Sequence, residues 1–172
     1  MSFNKRHPLL WVFIHICLLR QPPEVLPASP FLLVILLVFN IGIGITAFLI
    51  DFSLVQSVLR TVADLIVSLG FIYLLLIAVG KVVRSMQTVI AMLGVSAILN
   101  ILSFPLLLLL PDGKATVGLP GIMLYVLFFW HIVIMGHIFR HALSVSLPTG
   151  MLVAFAYVLM AMAVFYSIFP VQ

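Results

Sequence analysis

Hydrophobic positions in this chain come in long unbroken runs, unlike the alternation of a half-buried strand or the narrow stripe of a water-facing helix. Four runs, 31–50, 86–110, 119–139 and 148–169, contain no Asp, Glu, Lys or Arg. Each is long enough to cross the bilayer, which takes roughly 20 helical residues for about 30 Å of hydrocarbon. A fifth run, 61–80, matches them if Asp64 is tolerated near its start. The breaks between runs, "DFSLVQS", "GKVVRS", "PDGKATVG" and "RHALSVSLP", carry turn and loop residues. Backbone donors and acceptors inside lipid must be satisfied within the segment, so each run is expected to be a helix. The pattern predicts an all-α polytopic membrane protein, a bundle of five transmembrane helices with a short N-terminal interfacial helix.

Residues 1–30 stand apart from the membrane domain, 31–172. The apolar stretch between His7 and Arg20 is too short to span. It imitates a signal peptide, with a basic start and "LPA" before Ser29. Leu26 is a poor residue three places before such a cut, and "RQPPE" separates the apolar core from it. An interfacial helix fits better, with Trp11 at headgroup depth and Lys5, Arg6 and Arg20 on lipid phosphates. Pro22, Pro23, Pro27 and Pro30 then make a stiff connector, Pro30 opening the first span.

Composition narrows the class. The chain has 172 residues, 65% hydrophobic and 7% charged, with mean hydropathy +1.40. Soluble domains carry about 25% charged residues, so lipid must solvate most of this surface. A net charge of +4 without a basic run gives no reason to expect nucleic acid. The single cysteine, Cys17, excludes an intrachain disulfide. With the N-terminus in the cytoplasm, Lys5, Arg6, Arg20, Lys81, Arg84 and Arg140 fall inside, and Arg60 and Lys114 outside. Six against two predicts a multi-pass membrane protein with its N-terminus cytoplasmic and its C-terminus on the far side.

Polar residues inside the runs are the candidate chemistry. Arg60 and Asp64 are four apart, share a helix face and are expected to pair near the start of their span. Asn100 precedes Pro105, and with Asn40 it reads first as interhelical glue. Gly42, Gly44 and Gly94, with Ala91 and Ala97, read as packing faces. His131 and His137 point in different directions, about 240° apart at 3.6 residues per turn. His137 and His141 have the i, i+4 spacing of a metal pair, but no third ligand is apparent and Arg140 repels a cation. His137, Arg140 and His141 are therefore expected as interface anchors, which leaves Arg60, Asp64, Asn100 and His131 as the candidate intramembrane site. No GxSxG, Walker loop or paired carboxylates occur, so no enzyme activity, catalytic residue, metal or cofactor is expected.

A cytoplasmic segment ending in "LPASP", five closely spaced spans, short loops, and the stretches "SMQTVIAMLGVSAIL" and "GHIFRHAL" together resemble the bacterial Yip-like family of Ypt/Rab-interacting membrane proteins. The resemblance covers nearly the whole chain and implies an architecture and a bacterial inner membrane, which makes the far side periplasmic, with no activity to carry over. Eukaryotic members are linked to Rab GTPases through long N-termini, whereas only about thirty residues precede the first span here. Two functions compete. One is a non-enzymatic membrane organiser, assembly factor or complex subunit, whose partners are the lipid bilayer and other membrane subunits or further copies of itself. The other is a small transporter or channel, as a homodimer in one version, with Asp64, Asn100 and His131 lining a path.

Overall fold

The computed structural model describes residues 8–110 and 118–169. Lys5 and Arg6, two of the expected anchors, lie outside the described residues. Within them are a short helix α1 (Leu9–Cys17) and five long ones: α2 (Pro30–Phe48), α3 (Leu54–Ala78), α4 (Ser85–Leu108), α5 (Leu119–Leu143) and α6 (Leu147–Ile168). All five long helices are apolar and long enough to cross a bilayer. Their outward side chains, among them Phe31, Val38, Leu74, Phe129 and Leu152, are largely exposed hydrophobics. A surface of that kind is solvated by lipid, and the protein is a polytopic membrane protein.

Two helix boundaries move from where the hydropathy runs place them. α3 starts at Leu54 rather than near Thr61, because Ser53 and Gln56 form a capping box that satisfies its first amides. α5 runs on to Leu143 and ends at Ser144 in the left-handed conformation. There Arg84 Nη1 donates to the His141 carbonyl at 2.9 Å and the Ser144 hydroxyl at 2.8 Å. Elsewhere the sequence cues hold: Ser29 caps α2 and Pro30 occupies its first turn. Pro105 lies inside α4, and the nearby Ser103 hydroxyl takes up the carbonyls of Leu99 and Asn100.

α4 is the central post. Half of its most apolar stretch is buried, against 6% in α2 and α6, which therefore face lipid. It packs on α1, α2, α3 and α5, while α5 and α6 form the most extensive pair. That pair closes tightly because Gly136 and Gly150 lie at the crossing. A β-carbon at Gly150 would stand 2.3 Å from the Gly136 carbonyl oxygen. Gly44 meets Thr61 across α2 and α3. Gly94, expected to admit another spanning helix, instead receives the ring of Phe13 from α1.

The N-terminal segment is accordingly a strap docked on the bundle. Phe13, Ile16, Cys17 and Leu26 are buried. The contact at Gly94 lies nine residues beyond Ser85, roughly 14 Å along α4 at ~1.5 Å per residue. Gln87 Nε2 donates to the Leu26 carbonyl at 3.0 Å, and Arg84 faces Glu24 at 3.7 Å. The strap, the α3–α4 turn and the α5–α6 turn share one end of the bundle, the strap end. The other, with the α2–α3 turn, is the far end.

Candidate functional site

Polar residues from all five long helices line one cavity of about 190 Å³. Asn40 stands ten residues beyond the start of α2, Asp64 ten into α3, Ser96 eleven into α4, His131 twelve into α5 and Tyr157 ten into α6. At ~1.5 Å per residue those positions lie roughly 15–18 Å along each helix. Half of a hydrocarbon core of about 30 Å is the same distance. The cavity is thus a mid-depth chamber. Helical spacing builds its walls: Asn40, Gly44 and Phe48 follow at i, i+4 and i+8 on α2, and Asp64 and Ser68 at i and i+4 on α3.

Some of its polar groups are already committed. Asn40 Nδ2 donates to the Leu36 carbonyl at 2.8 Å and, across to α4, to the Leu93 carbonyl at 3.0 Å. This is the interhelical glue expected of it. The hydroxyls of Ser68 and Tyr157 bond at 2.6 Å between α3 and α6. Others are open. Asp64 is exposed to the chamber, and no cation pairs with it among the described residues. The Asn100 amide has no side-chain partner among the described residues, and His131 Nε2 is buried without one.

The structure therefore brings together three of the four residues singled out in the sequence and sets the fourth apart. Arg60 does not pair with Asp64. Its guanidinium lies over the ring of Phe52 at 3.9 Å and near Phe169 at 4.6 Å and Phe165 at 5.3 Å. Arg60 is closer to the far end, and a planar cation stacks well on aromatic faces there. Asp64 lies deeper than expected, because the capping box starts α3 two turns before Thr61. Tyr157, Ser68 and Ser96 were not singled out in the sequence. Ser68, four residues after Asp64, carried a readable signal through helical spacing, whereas nothing local joined Tyr157 to this group.

Aromatic residues bracket the chamber. Toward the far end Phe48 stacks on Phe165, 6.0 Å apart with ring planes at 15°. Toward the strap end Phe71 packs against Tyr157 at 5.1 Å and Phe139 at 5.9 Å. A second cavity, of about 460 Å³, runs between α2 and α4 on the lipid side and shares Asn100 with the chamber.

The histidine cluster at the strap end behaves differently from its expected role. His137 is buried and bonds to the Gln21 carbonyl at 3.0 Å, so it holds the strap and is not a lipid anchor. His141 packs edge-on against it at 4.8 Å. Arg140 and His141 are half-buried, while Trp11 and Arg20 are exposed. Trp11 also accepts a bond at its carbonyl from His15 Nδ1, 2.9 Å away. Among the described residues no three His, Cys, Asp or Glu side chains converge as metal ligands would. Burial pushes the Cys17 thiol up to about 11.

No family model, curated protein or solved structure matches the chain. The fold itself defines the class: a five-span helical membrane protein with a mid-depth polar chamber.

Proposed function

We propose that the protein is a small transporter whose chamber binds a compact cationic group. The single supporting observation is that Asp64, Asn100 and His131 line one cavity to which every long helix contributes. Asp64 is the one acidic residue in the lining, and the rings of Phe48 and Tyr157 add aromatic faces. A carboxylate and π-faces in a low-dielectric setting favour a cation. An assembly factor would have no use for unpaired polar groups at mid-depth. The same reading has the strap end cytoplasmic, where Arg20, Lys81, Arg84 and Arg140 give the basic bias, in a bacterial inner membrane. The Yip-like architecture belongs to this reading and rests on the sequence stretches alone.

The test is uptake of radiolabelled tetramethylammonium into proteoliposomes under an inside-negative potential. Wild-type protein is expected to exceed protein-free vesicles severalfold, and Asp64→Asn to return uptake to that background. An Asp64→Asn protein that elutes as wild type and transports at the wild-type rate would sink the proposal.

A further inference from the structure

A second cavity adjoins the chamber at Asn100. The α2–α4 groove is lined by Val38, Phe39, Gly42, Ile43, Ile101 and Phe104, with Thr46 and Asn100 its only polar residues. Thr46 is already satisfied, since its hydroxyl donates to the Gly42 carbonyl at 2.8 Å. The groove is therefore apolar along its length except at Asn100, the residue it shares with the chamber. On α2 the two cavities lie back to back: Asn40, Gly44 and Phe48 face inward, and Phe39, Gly42 and Thr46 face the groove. Nothing lies within 4 Å of where a Gly42 β-carbon would stand, so the missing side chain leaves space.

We propose that the substrate is an amphiphilic cation, a compact quaternary or protonated amine on an alkyl chain, that enters from the membrane. Its tail lies in the α2–α4 groove, and its head passes Asn100 to reach Asp64. This rests on the reading of the chamber as a cation site and names its substrate class. Charge complementarity fixes the head, because the acceptor is a carboxylate without a fixed cation partner. The groove fixes the tail, because its volume of about 460 Å³ exceeds the chamber's 190 Å³ and almost every lining side chain is apolar. The route follows from position: aromatic pairs lie beyond the chamber toward both ends, Phe48 with Phe165 and Phe71 with Phe139, whereas the groove meets the chamber at Asn100 on the lipid side. Asn100 suits the doorway, since its free amide offers a bond to a polar head in transit.

The experiment measures equilibrium binding of decyltrimethylammonium and of tetramethylammonium to the protein in lipid nanodiscs. Four proteins are compared: wild type, Gly42→Leu, Val38→Phe and Asp64→Asn. Val38→Phe serves as a second groove-filling variant at an exposed position. Wild-type protein is expected to bind the decyl compound about tenfold or more tightly, the direction set by added apolar contact. Gly42→Leu and Val38→Phe should lose that preference and keep the affinity for tetramethylammonium. Asp64→Asn should weaken both. A decyl preference that survives in both groove variants overturns the tail site while leaving the chamber proposal standing. Equal binding of both probes by wild type overturns it as well. Unchanged binding in Asp64→Asn overturns the cation site itself.

Discussion

His131 and His137 sit less than two turns apart on α5, yet their ring nitrogens have opposite fates. His137 Nε2 meets the Gln21 carbonyl at 3.0 Å, and His131 Nε2 meets nothing. The contrast extends to their surroundings. At the strap end Arg84, Gln87 and Lys81 each donate to backbone carbonyls of another segment. At mid-depth Asp64, Asn100 and His131 face an opening. Fixed partners mark polar groups that hold the fold together. Asp64, Asn100 and His131 lack them in a medium where an unpaired polar group is costly, and under the proposed function their opening is where the cation binds.

The contrast breaks most visibly at Asp64. Replacing it with Leu removes a charge whose cost at the bilayer centre is about 2.5–3.5 kcal/mol on insertion scales. Asp64→Leu is therefore expected to abolish tetramethylammonium uptake and yet raise the midpoint of unfolding in a detergent titration. A drop in that midpoint would mean that Asp64 is structural. Next come the two asparagines. Asn40→Leu forfeits the bond to Leu93 and should cost about 0.6–1.7 kcal/mol, the range of interhelical bonds in membranes. Asn100→Leu should leave stability nearly unchanged. Equal losses in the same titration would erase the distinction between committed and open amides.

Smaller still is the histidine pair. His137→Phe orphans the Gln21 carbonyl and should cost about 1 kcal/mol, while His131→Phe should cost nothing. Cys17 reports the same event kinetically. With its thiol pushed up to about 11, maleimide labelling should rise about tenfold per pH unit from pH 7 to 9, because the thiolate reacts. His137→Phe should speed that labelling at fixed pH by loosening the strap. A rate indifferent to His137 would show that Cys17 is guarded by α1 packing alone.

The five helices were legible because uninterrupted apolarity at bilayer length leaves few alternatives. Asp64 and His131 stood out for the same reason, as polar residues in apolar runs. Their depth and company did not. Hydropathy averages over Ser53 and Gln56, whose capping box decides where α3 begins. Arg60 had Asp64 at a favourable spacing, but the rings of Phe52, in the turn just before α3, and of Phe169, beyond the end of α6, outcompete it. Gly94 was recognisable as a site of close approach, although only the packed structure names Phe13 as the visitor. Tyr157 joins the chamber through a bond to Ser68, 89 residues away, a partnership that no local pattern encodes.

The strap also sets a clock. Gln21 is bonded to a residue 116 positions later, so at about 5–20 residues per second of synthesis its partner emerges roughly 6–23 s behind it. Phe13 waits first for Gly94 on α4, and Gln21 waits longer still for His137 on α5. A segment made before all five spans is among the last to be locked. Its docking is a natural checkpoint, since only a chain whose later helices are already assembled offers both the Gly94 notch and the His137 imidazole.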